Sequence, residues 1–398
     1  MLRGFVPSCS ATRGPDDNRQ TTCGKCRMFT GQTGMNGLNI SNDTSLFEVP
    51  AVLNAGGKLT DHCAREAVDK IDTYGFVIFT DLLSHEEADA ALDMVRQAAD
   101  DPERNLCTFA SETDNRYKRR DFCSLPSTPF LNSFAGTLCQ RLEGVISEYC
   151  RPSHRLLEAV TLTSYLGSSH QYFHRDPPNV LSFFAAFEDV SEDQGGTVFV
   201  PGTHKYAGVE KRHGGLGLEL MDLFMVWSNI HVFRHNFRKL WDMRKGRGAS
   251  LAPGEFRDRV FSTKWDEYQP NILRFLTNRN THLSLNTFGP RTLRDLYRHR
   301  AAIRDNFHIV RTAPRKGTVI VFRSDTIHAG PDNRSPNPRR LYGMSISRDI
   351  IDPEYLFDGY SPHPSLIAQP LTFGDLLNFP PLTVLPKAAE QLEQIPAE

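Results

Sequence analysis

His170-Gln171-Tyr172-Phe173-His174-Arg175-Asp176-Pro177-Pro178 is the stretch on which the reading of this chain turns. Successive side chains of an extended segment alternate faces, so His174 and Asp176 point one way and Arg175 the other. Two such ligands, joined by a distant third, can occupy one face of an octahedral metal and leave the other face open. Two imidazoles and one carboxylate suit non-haem Fe(II), whose free positions take a co-substrate and dioxygen. The third ligand expected is His328, in Arg323-Ser324-Asp325-Thr326-Ile327-His328-Ala329-Gly330. An H-x-D tripeptide by itself arises by chance in many chains, and the bland reading is a surface pair beside a Pro-Pro turn. The surroundings of both halves give it weight.

An apolar run from Val180 to Phe187 follows the tripeptide and reads as a buried strand. Gly195-Gly196-Thr197-Val198-Phe199-Val200-Pro201-Gly202-Thr203-His204 is a Gly turn, a short strand and a Pro-Gly turn. Lys316 to Phe322 is a second β-branched strand behind a Gly turn, and it leads into His328. Arg339 then opens a further strand, Arg340 to Ser347, after a loop rich in Pro and Asn. Upstream, a strand is expected within Asp72 to Phe79. Helices are expected over about 60–73 and 84–99, the second capped by Ser84 with Glu87 three residues on.

These features in this order resemble the phytanoyl-CoA dioxygenase family of Fe(II)/2-oxoglutarate oxygenases, over roughly residues 60–350. The resemblance rests on the H-x-D, the P-G-T-H turn, the distal His, the Arg eleven residues beyond it and the opening strand and helix. It implies a mainly β fold with helices: a double-stranded β-helix, or jelly roll, of cupin-like architecture. N-terminal helices buttress it and a helical insertion interrupts it. It further implies that His174, Asp176 and His328 bind Fe(II), and that Arg339 anchors the far carboxylate of 2-oxoglutarate. Phe184 would line the co-substrate pocket, and Ser345 would assist from the same strand face as Arg339. Arg340 lies on the opposite face. Gly330 departs from the family pattern, since some relatives carry there a Ser that hydrogen-bonds 2-oxoglutarate. The implied reaction uses dioxygen to hydroxylate or otherwise oxidise a small organic substrate, with release of succinate and CO2. The competing readings are a non-catalytic jelly-roll ligand-binding or scaffold protein, and a cupin-like metal-dependent isomerase with further ligands.

Other histidines carry blander readings. His204 reads as structural, fixing the turn after its strand, and His170 with Gln171 either touches substrate or caps a loop. His231 and His235 share a helical face inside an Arg-rich stretch, and a zinc site from Cys23, Cys26, His62 and Cys63 is conceivable from spacing alone.

Composition bounds the rest. A chain of 398 residues with 39% hydrophobic content is long enough for one large core or two domains. The formal net charge of -1 gives no nucleic-acid or membrane signature. No apolar run reaches the ~18 residues of a membrane span. All eight cysteines fall between Cys9 and Cys150, with no signal-peptide core ahead of them. Free thiols in a cytoplasmic compartment are therefore expected, with organellar targeting by the N-terminal leader as the alternative. Residues 1–45 are polar and aperiodic and read as a disordered leader. Residues 46–398 read as a single catalytic domain with a lid-like insertion at about 205–315. That insertion holds a basic helix with Arg291, Arg294, Arg298, Arg300 and Arg304, which reads either as a packing lid whose charges face water or as an anion-binding cover that favours an anionic small-molecule substrate. The oligomeric state is left open.

Overall fold

The computed structural model describes residues 38–101, 104–106, 112–206, 220–261, 290–348, 360 and 362–382. Strands β1 (Ile40–Ser41) and β2 (Glu48–Pro50) precede helix α1 (Asp61–Tyr74), strand β3 (Phe76–Thr80) and helix α2 (His85–Asp100). Then come β4 (Asn105–Leu106), α3 (Glu112–Arg116), β5 (Arg120–Ser124), α4 (Pro129–Arg141) and α5 (Glu143–Ile146). The β-rich half runs β6 (Leu156–Ser164), β7 (Val180–Ala186) and β8 (Val198–Phe199). It is interrupted by α6 (Leu220–Arg244), α7 (Glu255–Phe261) and α8 (Pro290–Asn306). It resumes with β9 (Ile309–Arg311), β10 (Val319–Arg323), β11 (His328–Ala329) and β12 (Arg339–Ser347). Helices α9 (Pro364–Ala368) and α10 (Phe373–Asn378) are the last described elements.

The strands form two sheets, one ordered β2-β3-β10-β7-β12-β6-β5-β4 and one ordered β1-β9-β8-β11. A bridge between His174 and His328 adds the H-x-D segment to the free edge of the smaller sheet. From β6 onward the chain crosses to this segment, back to β7, over to β8 and β9, then to β10, β11 and β12. All the pairings among these strands are antiparallel. This is the jelly-roll layout that was expected, carried by two sheets rather than by a closed barrel.

Period-two alternation explains where the core sits. Val77, Phe79, Phe183, Ala185, Val319, Val321, Tyr342 and Met344 leave the outer face of the large sheet and bury against α1, α2 and α4. Their neighbours Phe76, Ile78, Ile320 and Phe322 point inward and meet Phe199 and Val310 of the smaller sheet. The buttressing helices fall where the sequence puts them. Ser84 accepts from the Glu87 N–H while the Glu87 carboxylate accepts from the Ser84 N–H. A cap of this kind is worth about 1 kcal/mol. Helix α1 ends at Gly75 with φ +89°, and a Cβ there would lie 2.2 Å from Thr326 Oγ1. Glycine is therefore required twice over, by conformation and by the approach of the loop that precedes His328.

Two boundaries differ from the expectation. The leader was expected to reach residue 45, yet Leu38 and Ile40 are buried among apolar side chains of the smaller sheet and α6. Ile40 and Ser41 pair in parallel with Ile309 and Val310. A two-residue strand is too short to show a periodic pattern. Residues 1–37 lie outside the described residues, as do Cys23 and Cys26. The insertion was expected to reach about 315, but β9 within it pairs with β8 and belongs to the jelly roll.

The inserted helices are fastened to the domain. Met221, Leu223, Phe224, Val226 and Val232 of α6 join one apolar cluster with Phe173, Val198, Ile327 and Ala329. Thr292, Leu296 and Ile303 of α8 are buried, whereas Arg294, Arg298, Arg300 and Arg304 are exposed. Arg294 lies 3.3 Å from Asp295, and Arg300 stacks on Tyr297. The side chain of Arg291 lies outside the described residues. Charges exposed in this way act on a ligand only through screened attraction over about 8 Å.

Helix α7 is held by buried charges. Glu255 accepts from Arg119 Nε at 2.8 Å and from Arg259 Nη1 at 2.9 Å, and Arg259 lies 3.6 Å from Asp114. Glu255, Arg259 and Asp114 are fully buried. Removing one member of such a network strands the others, at a cost of about 3–5 kcal/mol. Glu255→Ala is expected to lower unfolding free energy by that amount in urea titration. A loss of about 1 kcal/mol or less would show that the pair is solvated instead.

Among the described residues no helix is long and apolar enough to cross a membrane.

Candidate metal centre

The H-x-D segment takes its geometry from the strand beside it. The His174 N–H donates to the His328 carbonyl at 3.1 Å, and the His328 N–H returns to the His174 carbonyl at 3.0 Å. The two histidines are thus direct cross-strand partners, with ring centroids 4.5 Å apart. The Asp176 N–H donates to the Ser324 carbonyl, a further tie between the two segments. Arg175 points away, as alternation requires, and donates to the Thr203 carbonyl at 2.9 Å. Thr203 Oγ1 accepts from the Ile327 N–H, which joins the P-G-T-H turn to the residue before His328.

One ligand atom from each of His174, Asp176 and His328 lies within 4.8 Å of the other two. His174 Nδ1 meets the Tyr172 carbonyl at 2.8 Å and His328 Nδ1 meets the Thr326 carbonyl at 2.9 Å. A carbonyl only accepts, so each Nδ1 carries the proton and each Nε2 presents a lone pair. His174 Nε2 is 3.9 Å from Asp176 Oδ1, and His328 Nε2 is 3.4 Å from Oδ2. Three acceptors converging in this way are a donor set for a cation.

The ionisation states agree. Burial, followed by the facing His328 ring, pushes His174 below the ordinary imidazole range and keeps it neutral. Burial alone would raise the Asp176 carboxyl, but the two rings outweigh it and hold it low. Burial would lower His328, and Asp176 reverses that, so a proton and a metal ion compete for the same pair of groups.

Arg339 sits inside, 3% exposed, while Arg340 faces out and pairs with Glu188 at 3.2 Å. In one cross-strand row Arg339 opposes Ser164, and Ser164 opposes Arg120 on its other side. Arg339 donates to Ser164 Oγ at 3.0 Å and to the Gly195 carbonyl, and its Nε has no hydrogen-bond partner. Arg120, 2% exposed, donates to the Ser169 carbonyl at 2.8 Å. Burial and then the Arg120 charge push the Arg339 guanidinium down to about 9, with Asp332 opposing. It still carries its charge at neutral pH. Two buried guanidiniums thus stand on either side of Ser164, and charged donors of this kind suit an anion.

Gly330 has a structural reason. A Cβ there would lie 2.5 Å from Gln171 Oε1 and 2.9 Å from Arg120 Nη1. The room that a serine side chain would need is taken by those two groups. Sequence reasoning missed Arg120, because an arginine in a strand reads as a surface residue until its neighbours are known.

Phe184 lies on the inward face of β7, opposite Gly343, with its ring 5.0 Å from that of Phe322. The Phe322 ring is 5.1 Å from His328. Ser345 shares the face of Arg339 but is not brought to it. Six residues of strand separate them, roughly 20 Å. Ser345 instead meets Ser182 at 3.2 Å and Glu158 at 3.3 Å.

The remaining histidines are placed as follows. His204 Nε2 meets the Asp72 carbonyl at 3.1 Å and ties its turn to α1. His170 is fully buried, and that burial pushes it down to about 3. His235 lies 3.2 Å from Asp332, and His231 packs its ring against Trp227. Among the described residues no other metal-binding cluster forms, and no fourth His, Cys or carboxylate joins the triad.

Residues 163–217 match the model of the phytanoyl-CoA dioxygenase family. That segment carries the end of β6, both H-x-D ligands, β7, β8 and the P-G-T-H turn. No curated protein matches the chain by sequence. Solved structures similar to it include the non-heme alpha ketoglutarate dependent epimerase SnoN from nogalamycin biosynthesis. The two share 14% identity at a TM-score of 0.40, over 72% of this chain and 82% of that one. The carbocyclase SnoK from the same biosynthesis is similar at 14% identity and a TM-score of 0.41, over 75% and 87%. HygX from Streptomyces hygroscopicus, with nickel and 2-oxoglutarate bound, is similar at 14% and 0.38, over 74% and 89%.

Proposed function

We propose that this chain is an Fe(II)- and 2-oxoglutarate-dependent oxygenase that oxidises a small organic molecule, with hydroxylation as the outcome. The observation that carries this is the convergence of two Nε2 lone pairs and one carboxylate beside an anion site of two buried arginines. His174, Asp176 and His328 would hold Fe(II), a donor set that suits this ion and leaves positions open. When bound, iron and 2-oxoglutarate would supply the oxidising power: one oxygen atom of dioxygen goes into succinate as CO2 leaves, and the other into the substrate.

The chain itself contributes placement. The Tyr172 and Thr326 carbonyls hold both imidazoles in the tautomer a metal needs. Arg339 and Arg120 would present fixed charge to the far carboxylate of the co-substrate, and the unpartnered Arg339 Nε would be a donor available to it. Phe199 and Phe322 pack their rings against His328, and Phe184 backs Phe322, so one side of the triad is walled by rings. Asp176 would occupy the place that a halide needs in chlorinating chemistry, which argues against halogenation.

The test is anaerobic titration of the protein with Fe(II) and 2-oxoglutarate. A weak visible charge-transfer band is expected only when both are present. Its absence at saturating iron, together with no 2-oxoglutarate turnover, would leave the non-catalytic scaffold reading standing. Pools of acyl-CoAs, amino acids and terpenoids, each screened for stimulated succinate release, then identify the substrate class.

A further inference from the structure

We infer that helix α6 of the insertion is the positioning element of the metal centre, through Asn229 and Asn236. The inference rests on the reading of His174, Asp176 and His328 as metal ligands. Asn236 Oδ1 accepts from the His170 N–H at 2.9 Å, and its Nδ2 donates to the His170 carbonyl at 2.8 Å. Asn229 repeats the pattern on Phe173, accepting at 2.7 Å and donating at 3.0 Å. Each side-chain amide thus satisfies a complete backbone unit, as a neighbouring strand would.

The spacing permits this. Seven residues are two helical turns, which return to the same face after about 10.5 Å. Three extended residues, from 170 to 173, cover about 10 Å. The helix therefore runs beside the ligand-bearing segment in the opposite sense and in register with it. On the other edge, the Gln171 N–H donates to the Gly330 carbonyl, and His174 pairs with His328. The segment is held from both sides, by β11 and by a helix that supplies amides in place of a strand.

The same helix reaches the second half of the site. Lys239 donates to Asp332 at 3.0 Å and to the Ser168 carbonyl at 2.6 Å, and His235 lies 3.2 Å from Asp332. Asp332 follows His328 by four residues, and Ser168 precedes His174 by six. Helix α6 thus grips both segments that bring ligands. Asn229 and Asn236 are 3% and 1% exposed, so their hydrogen bonds are shielded from water. The part of the chain that reads as a cover sets the distance between the ligands.

The test uses Co(II) as the probe, titrated anaerobically and followed by its visible absorption. Asn229→Ala with Asn236→Ala is expected to weaken Co(II) binding tenfold or more, in the range found when groups that orient metal ligands are removed. Amide hydrogen exchange across residues 168–176 of the metal-free protein should quicken in parallel. Leu240→Ala is the control. It lies on the same helix within a separate apolar cluster, and should lower the melting temperature while leaving Co(II) affinity within about twofold. If the double variant fails to fold, each single variant, keeping one clasp, is expected to lose about threefold. Equal affinity in wild type and variants overturns the inference, as does an equal loss in Leu240→Ala. A wild type that binds no Co(II) overturns the metal reading and this inference together.

Discussion

Alanine at His174, Asp176 or His328 is expected to abolish substrate oxidation and to remove stoichiometric Fe(II) binding. Each residue supplies one of three converging donor atoms, and water in its place leaves an ion held by two protein groups. The effects should not rank equally on the folded protein without metal. Asp176 is flanked by two imidazoles and holds His328 above its usual range. Asp176→Ala therefore removes the one negative charge and leaves two rings facing one another. His328, buried at 4% exposure, leaves a cavity when truncated, so His328→Ala should cost more stability than His174→Ala. The measurements are turnover at saturating iron, anaerobic iron titration and thermal unfolding. Near-full turnover in two of the three variants would show that the triad is misassigned.

Arg339→Ala should raise the apparent Michaelis constant for 2-oxoglutarate by roughly one-hundred-fold to a few-thousand-fold. Breaking a buried charge-assisted pair on one side costs about 3–5 kcal/mol, which corresponds to that range. Arg340→Ala should be mild, because its partner is Glu188 at the half-exposed outer face. Arg120 shares the row with Arg339 and should sustain part of the binding, so Arg339→Lys is expected to recover only a fraction. Lysine keeps the charge but not the planar fork. A large effect at Arg340 with a small one at Arg339 would mean that the carboxylate enters from the other face of the sheet.

Much of the site was legible because its signals are local. The H-x-D pair, the glycine turns and the β-branched runs each lie within one short segment, and period two decides which residues share a face. That reasoning separated Arg339 from Arg340 and His174 from Arg175. It failed for Ser345, since a shared face says nothing about distance along the strand. It also could not see β1 and β9, which are too short to carry a pattern and exist only by pairing with each other and with β8.

What the sequence by itself determined is the set of donor types and the strand and helix that present each one. These follow from side-chain chemistry and from periodicities of a few residues. Tertiary structure alone decided that Arg120 stands beside Arg339 across β6, that Gly330 leaves room for Arg120 and Gln171, and that Asn229 and Asn236 clasp the ligand segment. Each of these depends on the register between segments far apart in the chain. Register is set by the packing of whole sheet faces and helices, which no single stretch encodes.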